Sequence, residues 1–562
     1  MQTKLNALVG LLGVVGLAVL GCSGSPLATC GEACSNGAGQ AGQGADDRDP
    51  ASAGAGGDAQ VGDGDDDGGA GPTAGGAGGA DDDANDAGAP ATTEPSQWVV
   101  YLADEDTPGK NELYAIRVAD LGQPKRIKIS PELGEHPWVP IAQSSIWSPD
   151  GTAYAFQNFH EEAADYYIVR FRDDGVEPAA LVAPSLPPGS LYNLKWSPSG
   201  NAVLLETKEG VVVAEPDAQG AYMGKKLGYL GTESAVWRDD DTIIHSVYDE
   251  VAKNGMIFIS TREQDDWVTT PLVRDVAVHS LSLSTDRRTI AYGVGLPGQH
   301  DIFACAAVLG CTPRLVAGSG KHELYWFPVR ANFLVVDQGK LAWGTSAETS
   351  SAQPINGLES VPWAFTPDGS RLEFWHEESD GLARLGLYDF AQGKSTMHDI
   401  VRNLDESPGG FAWSRDGSAY LSVHQPDALA DLDLVLGDPT NPANSRTIDT
   451  IPSGDRFSFL HFSDSGEFLV YDREHGDSWE TSYVDLRGVS ASTRPRIKVP
   501  GEGLTWSFDF EPGGSNATYT MRRENGAQPC FFLDLSRQVA RPPVQVSGEG
   551  RVQYCVLQPR AK

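Results

Sequence analysis

One motif recurs through this chain at an interval that almost no other fold shares. An aromatic residue leads into a tight turn at Trp147-Ser-Pro-Asp-Gly151, Trp196-Ser-Pro-Ser-Gly200, Phe365-Thr-Pro-Asp-Gly369 and Trp413-Ser-Arg-Asp-Gly417. Weaker copies start at Trp237, Leu283, Trp326, Phe462 and Phe510. Successive starts lie 49, 41, 46, 43, 39, 48, 49 and 48 residues apart. That spacing is within or near the period of a four-stranded propeller blade.

The repeat has a local physical logic. Proline at the second turn position presets φ, the aspartate bonds back to nearby backbone, and glycine takes the left-handed conformation that ends the turn. Short β-rich runs follow, such as Ala153-Tyr-Ala-Phe156 and Ala202-Val-Leu-Leu205, then polar hairpins and further strands such as Tyr167–Phe171. The leading aromatic is expected to pack between blades and is given no binding role. The ends complement each other. Trp98–Tyr101 and Asn111–Val118 read as second and third strands with no first strand before them, and Val552–Pro559 reads as an innermost strand with no blade after it. Together they make one blade, a closure that removes exposed sheet edges. The fold class expected is all-β, a propeller of four-stranded blades numbering eight to ten, with ten the best count. One large ring, two smaller rings, or eight blades with two insertions all satisfy the spacing.

The WSPDG-type copies resemble the propeller repeats of TolB and its relatives, over about residues 97–562. That resemblance implies a β-propeller. TolB carries an additional amino-terminal α/β domain and fewer blades, so its partnership in the Tol–Pal system does not carry over.

Ahead of the repeats, one basic residue (Lys4) precedes an uncharged apolar run from Leu5 to Leu20. This is the layout of a secretory signal, and the run is too short for a spanning helix. Val19-Leu20-Gly21-Cys22 resembles the lipobox of bacterial lipoproteins, which implies a signal peptide over 1–21 and lipidation of Cys22 with acyl chains such as palmitate. The expected location is therefore the cell envelope, with the membrane reached through the lipid anchor only. Ser23 follows the cysteine where aspartate favours inner-membrane retention in enteric lipoproteins, so the outer membrane is expected, on either face. Residues 22–96 form a Gly/Ala/Asp-rich linker, in which the stretch from about Ser35 to Ser96 has almost no large apolar residue. It cannot offset its own ordering entropy and reads as a disordered tether with a span of roughly 40–45 Å. Its GDGDDDGG run lacks the ligand spacing of a calcium loop.

The formal net charge is −35; residues 44–95 carry −12 and residues 1–43 none, leaving −23 from residue 96 onward. Taken as a whole, so acidic a domain repels nucleic acid and anionic lipid head groups and lacks a clustered basic face, and nucleic acid is excluded as a partner. Six cysteines besides Cys22 suit an oxidising compartment but allow 15 pairings. Proximity favours Cys30 with Cys34 and Cys305 with Cys311, leaving Cys530 and Cys555, both near the terminal closure, where they could lock the ring.

No GxSxG, HExxH, paired CxxC or phosphate-binding glycine loop occurs. What remains is a set of acidic hairpins, all of which a propeller sends to one face: Asp104-Glu105-Asp106, His160-Glu161-Glu162, Asp249-Glu250, His376-Glu377-Glu378 and Glu474-His475 with Asp477. Histidine with carboxylates could ligate a transition metal and carboxylates alone calcium, but solvated turn tips explain them, so no metal site and no cofactor is assigned. The expected function is a non-enzymatic scaffold that binds an envelope protein or glycan. The alternative is a polysaccharide hydrolase or lyase using carboxylates in the central funnel.

Overall fold

The computed structural model describes residues 97–562, apart from short segments of which 132–145, 346–352, 404–410 and 488–496 are the longest. Ten antiparallel sheets follow one another along the chain, nine four-stranded and one five-stranded. Helical structure among the described residues is confined to two single 3₁₀ turns, Val118–Asp120 and Pro442–Asn444.

We number the sheets as blades from the amino terminus and count strands outward from the centre. Blade 1 is the composite one: its innermost strand is Val552–Leu557, followed by Trp98–Thr107, Lys110–Arg117 and Ile127–Lys128. Blade 2 starts at Ile146–Trp147, blade 3 at Leu191–Trp196, blade 4 at Thr232–Asp239, blade 5 at Val278–Leu283 and blade 6 at His322–Trp326. Blades 7 to 10 start at Val361–Phe365, Phe411–Trp413, Phe457–Phe462 and Leu504–Phe510. Blade 2 carries the fifth strand, Ala180–Leu186, paired to Ala164–Arg172. The weak repeat copies thus begin blades as surely as the clear ones.

The core is divided into ten hydrophobic clusters, one for each interface between successive blades, including blade 10 against blade 1. Ten interfaces among ten blades make a single ring and set aside the two-ring and eight-blade alternatives. The second strands explain why their sequences are apolar without alternation. Tyr154 and Phe156 pack toward blade 1 while Ala153 and Ala155 pack toward blade 3, so both faces of the sheet are buried. Each leading residue of the repeat lies in the cluster shared with the preceding blade. Trp237 Nε1 donates to the Lys195 carbonyl (3.0 Å) and Trp326 Nε1 to Ser282 Oγ (3.0 Å), each in the blade before.

The turn works as its residues imply, with one addition. The Ser148 hydroxyl, fully buried, accepts the Ala153 N–H (2.9 Å) and donates to Asp150 Oδ1 (2.5 Å). Ser197, Ser284, Thr366, Ser414 and Ser463 accept the N–H five residues on in the same way. In blade 10 this place is taken by Glu511, buried, whose Oε2 faces the Asn516 N–H (3.4 Å) while Oε1 accepts Gln97 Nε2 (2.7 Å).

Closure is secured at several levels. Trp98–Thr107 pairs with Val552–Leu557 over Val99↔Leu557 to Ala103↔Val552. Gln558 Oε1 accepts the Trp98 N–H (2.9 Å), and Thr518 Oγ1 of blade 10 donates to the Cys555 carbonyl (2.9 Å). The disulfide Cys530–Cys555 ties the same innermost strand to blade 10, and Cys305–Cys311 closes a loop within blade 5. Cys22, Cys30 and Cys34 lie outside the described residues.

Candidate binding faces

Strand alternation gives the ring two ends. One collects the turns between first and second strands and the connections between third and fourth; we term it the turn face. The other, the hairpin face, collects the second-to-third hairpins and the crossings between blades.

The turn face is an unbroken ring of contacts. Gln558 Nε2 donates to the Gly151 carbonyl (2.7 Å), joining blades 1 and 2. Gly200 sits so near Asp150 that a Cβ there would be 2.8 Å from its Oδ1. Asp240 accepts the Ser199 N–H (2.9 Å) and lies within the field of Arg287 in blade 5. Thr285 Oγ1 donates to the Phe327 carbonyl (2.5 Å). Gly369 abuts Phe327 and Pro328, and Gly417 abuts Pro367 and Asp368. Asp464 accepts from Arg415 (2.9 Å) and from the Gly513 N–H (2.7 Å), and Glu511 with Gln97 completes the circuit. Burial opposes ionisation of Asp368 and Asp416, but their turn hydrogen bonds prevail and hold both below the usual carboxylate range.

On the hairpin face the acidic tips divide. Asp104, Glu105 and Asp106, read from sequence as a solvated tip, are engaged. Asp104 accepts the N–H groups of Gly109 (3.1 Å) and Arg551 (2.6 Å). Glu105, its side chain 2% exposed, accepts the Gly548 N–H and pairs with Arg126 (2.7 Å), which also meets Asp106 (3.2 Å). This hairpin therefore fastens blade 1 to the connection that leads into the closing strand. His376 and Glu377 are exposed at the end of Arg371–Glu377. The backbones of Asp249, Glu474 and His475 lie at hairpin ends, paired Asp249↔Asn254, Glu474↔Trp479 and His475↔Ser478. His160, Glu161, Glu162, Glu250, Glu378 and Asp477 fall outside the described residues. Among the described residues no group of three His, Cys, Asp or Glu side chains is placed to hold a metal ion.

Sequence reading missed the polar groups of the inner strands. Asp509, partly exposed on the innermost strand of blade 10, has its pKa pushed up to about 6 by burial. Burial also raises Asp472, on the second strand of blade 9, to about 6, against a hydrogen bond from Thr481 Oγ1 (2.6 Å). Between blades 3 and 4, Lys195 Nζ bridges Glu206 Oε1 (2.8 Å) and the Ala235 carbonyl (2.7 Å). A concavity of about 350 Å³ between blades 7 and 8 is lined by Asp399, His424, Asp433, Ser445 and Arg446. Burial holds the His424 pKa below its usual value despite Asp433 and Asp399.

No protein-family model matches the sequence, and no curated protein matches it. Solved structures with a similar fold include a eukaryotic initiation factor, 11% identical over 83% of this chain and 99% of that chain, with a TM-score of 0.45. TolB from Acinetobacter baumannii is 12% identical, covering 72% of this chain and 82% of its own, at a TM-score of 0.24. Porphyromonas gingivalis dipeptidyl peptidase 4 is 13% identical, covering 72% of this chain and 59% of its own, at 0.40. At such identities and TM-scores the neighbours carry no inference about activity.

Proposed function

We propose that this chain is an exported lipoprotein whose propeller is a non-enzymatic scaffold, tethered through Cys22 and presenting its hairpin face to a protein or glycan of the cell envelope. The observation that carries the reading is the asymmetry of the two ends. The inner turns of the turn face are spent on one another, whereas the hairpin face carries acidic tips such as Glu377 exposed to solvent. Loops held on a rigid ring suit recognition, and a net charge of −23 from residue 96 onward favours a basic patch on the partner.

Cys22→Ala should shift the full-length chain from the membrane fraction to the soluble one, still folded; a variant that stays membrane-bound ends the anchor reading. For the partner, cross-linking of the full-length protein in cells should recover the same envelope component under several growth conditions. Charge reversal at Glu377, Glu474 and Asp477 together should lower the yield severalfold, since rim charges act mainly on encounter. Recovery of nothing reproducible, or a yield indifferent to those reversals, would sink the scaffold reading.

Asp509 gives the hydrolase alternative one foothold, because a carboxyl with a pKa near 6 on an innermost strand is suited to general acid catalysis. Turnover of an envelope glycan that disappears in Asp509→Asn would favour that alternative.

A further inference from the structure

The turn face of blade 5 gathers exposed aliphatic and basic side chains. The disulfide Cys305–Cys311 closes the loop between its third and fourth strands, and the loop holds Val308 and Leu309 at 44% and 55% exposure. Val329, in the neighbouring turn of blade 6, is 62% exposed. Hydrogen bonds bring the segments together: the Ala307 N–H donates to the Arg288 carbonyl (2.8 Å), and Thr285 Oγ1 to the Phe327 carbonyl. Arg287 and Arg288 are exposed in the turn, and Arg314 is exposed on the fourth strand opposite Ala304. Asp286 lies in the same turn, and Asp240 of blade 4 lies within the field of Arg287. Asp286 is occupied within its own turn by Ser284 Oγ (2.6 Å) and the Arg288 N–H (3.2 Å), and Asp240 of blade 4 already holds the Ser199 N–H.

From this we infer that the turn face docks on the bilayer surface, with Val308 and Leu309 inserted at the interface and Arg287, Arg288 and Arg314 on lipid phosphates. The inference rests on the lipid-anchor reading above. Two observations select a bilayer as the occupant. The chain ahead of the propeller enters at Gln97, at the start of a second strand and therefore on the turn face, where Gln97 bonds Glu511 and the Gln558 carbonyl. Gln97 and the blade 5 patch thus share one face, and in a ring of ten blades they lie on opposite sides of it, so an anchor reached through Gln97 and the patch would give two separated points of support. The patch also has interfacial chemistry: aliphatic side chains enter the acyl boundary while guanidinium groups pair with phosphate in fork geometry. A disulfide-closed loop loses little freedom on insertion, and the tether supplies a high effective concentration, so two aliphatic residues suffice where a free domain would need more. Docked this way, the ring turns its hairpin face away from the membrane.

The test reads backbone hydrogen exchange of residues 306–314 in the full-length lipidated protein, inserted through its anchor into protein-free vesicles of three parts phosphatidylethanolamine to one part phosphatidylglycerol. The reference is the full-length Cys22→Ala chain in buffer. Exchange of 306–314 should slow by about tenfold on vesicles, while that of 148–153 stays unchanged. In Val308→Ser/Leu309→Ser the protection should vanish although the protein still sediments with the vesicles. Equal exchange with and without vesicles overturns the proposal. So does protection that arises only on native membranes, which would identify a protein as the occupant. If the chain with Cys22 intact sediments no better than Cys22→Ala, the anchor reading fails separately. Vesicles added in excess then decide the docking: protection of 306–314 keeps it, and its absence ends it.

Discussion

Asp509 and His398 show how single groups within the blades set opposing pH responses. The folded pKa of Asp509, about 6, lies above the unfolded value near 3.9, so the native state keeps a proton that the unfolded chain releases between them. Its contribution is therefore complete below about pH 4 and is lost as pH rises through 6. His398 has the reverse sign: burial, with Arg371, lowers its pKa to about 4, so its contribution is complete above pH 6.5 and is lost as pH falls toward 4. The wild-type profile in that window is a difference between such groups, and a variant isolates one of them. Asp509→Asn should raise stability by on the order of 1–2 kcal/mol at pH 7.5 and leave it nearly unchanged at pH 4, as read by denaturant melts at both values. Nothing in the sequence marks Asp509, since an acid in a β-run of an acidic protein reads as solvated. Glu511 is hidden for a similar reason, because only the fold reveals that it replaces the turn serine and reaches Gln97.

At the scale of the strand, aromatic residues and glycines face each other across the blades. Phe374 pairs with Gly386, Tyr420 with Gly437 and Phe333 with Gly344, in each case second strand to third. A Cβ on Gly386 would stand 2.2 Å from Phe374 Cζ, and one on Gly437 2.0 Å from Tyr420 Cζ. The glycines make room for the rings, and the rings cover the glycines. Gly386→Ala should cost about 1–3 kcal/mol through overpacking, and Phe374→Leu in the same chain should return part of it; thermal melts of the single and double variants check the coupling. The turn was legible from sequence because its chemistry spans only a few residues: Ser148, Asp150 and Gly151 bond within a short loop. The Asp104–Asp106 hairpin was misjudged as solvated because its partners, Gly548 and Arg551, lie at the far end of the chain.

The whole ring depends on one seam. Spacing alone allowed several blade arrangements; it was the matching of an orphan pair of strands at one end with an orphan strand at the other that pointed to ten blades. Cys530 and Cys555 reinforce that seam across a separation of 25 residues. Their joint replacement by serine should lower stability by about 3 kcal/mol on the chain-entropy model, measured under non-reducing denaturation, whereas Cys305→Ser/Cys311→Ser, with a separation of 6, should cost less. Deleting residues 552–562 should do more damage than either, exposing the edge of Trp98–Thr107 and lowering soluble yield. Because Val552–Leu557 supplies the innermost strand of the first blade, that blade must wait until residues more than 400 positions downstream of its other strands have been made. If the chain crosses its membrane amino terminus first, nine blades can assemble beside an unfinished one, and the ring becomes a closed object only when its final strand emerges on the far side.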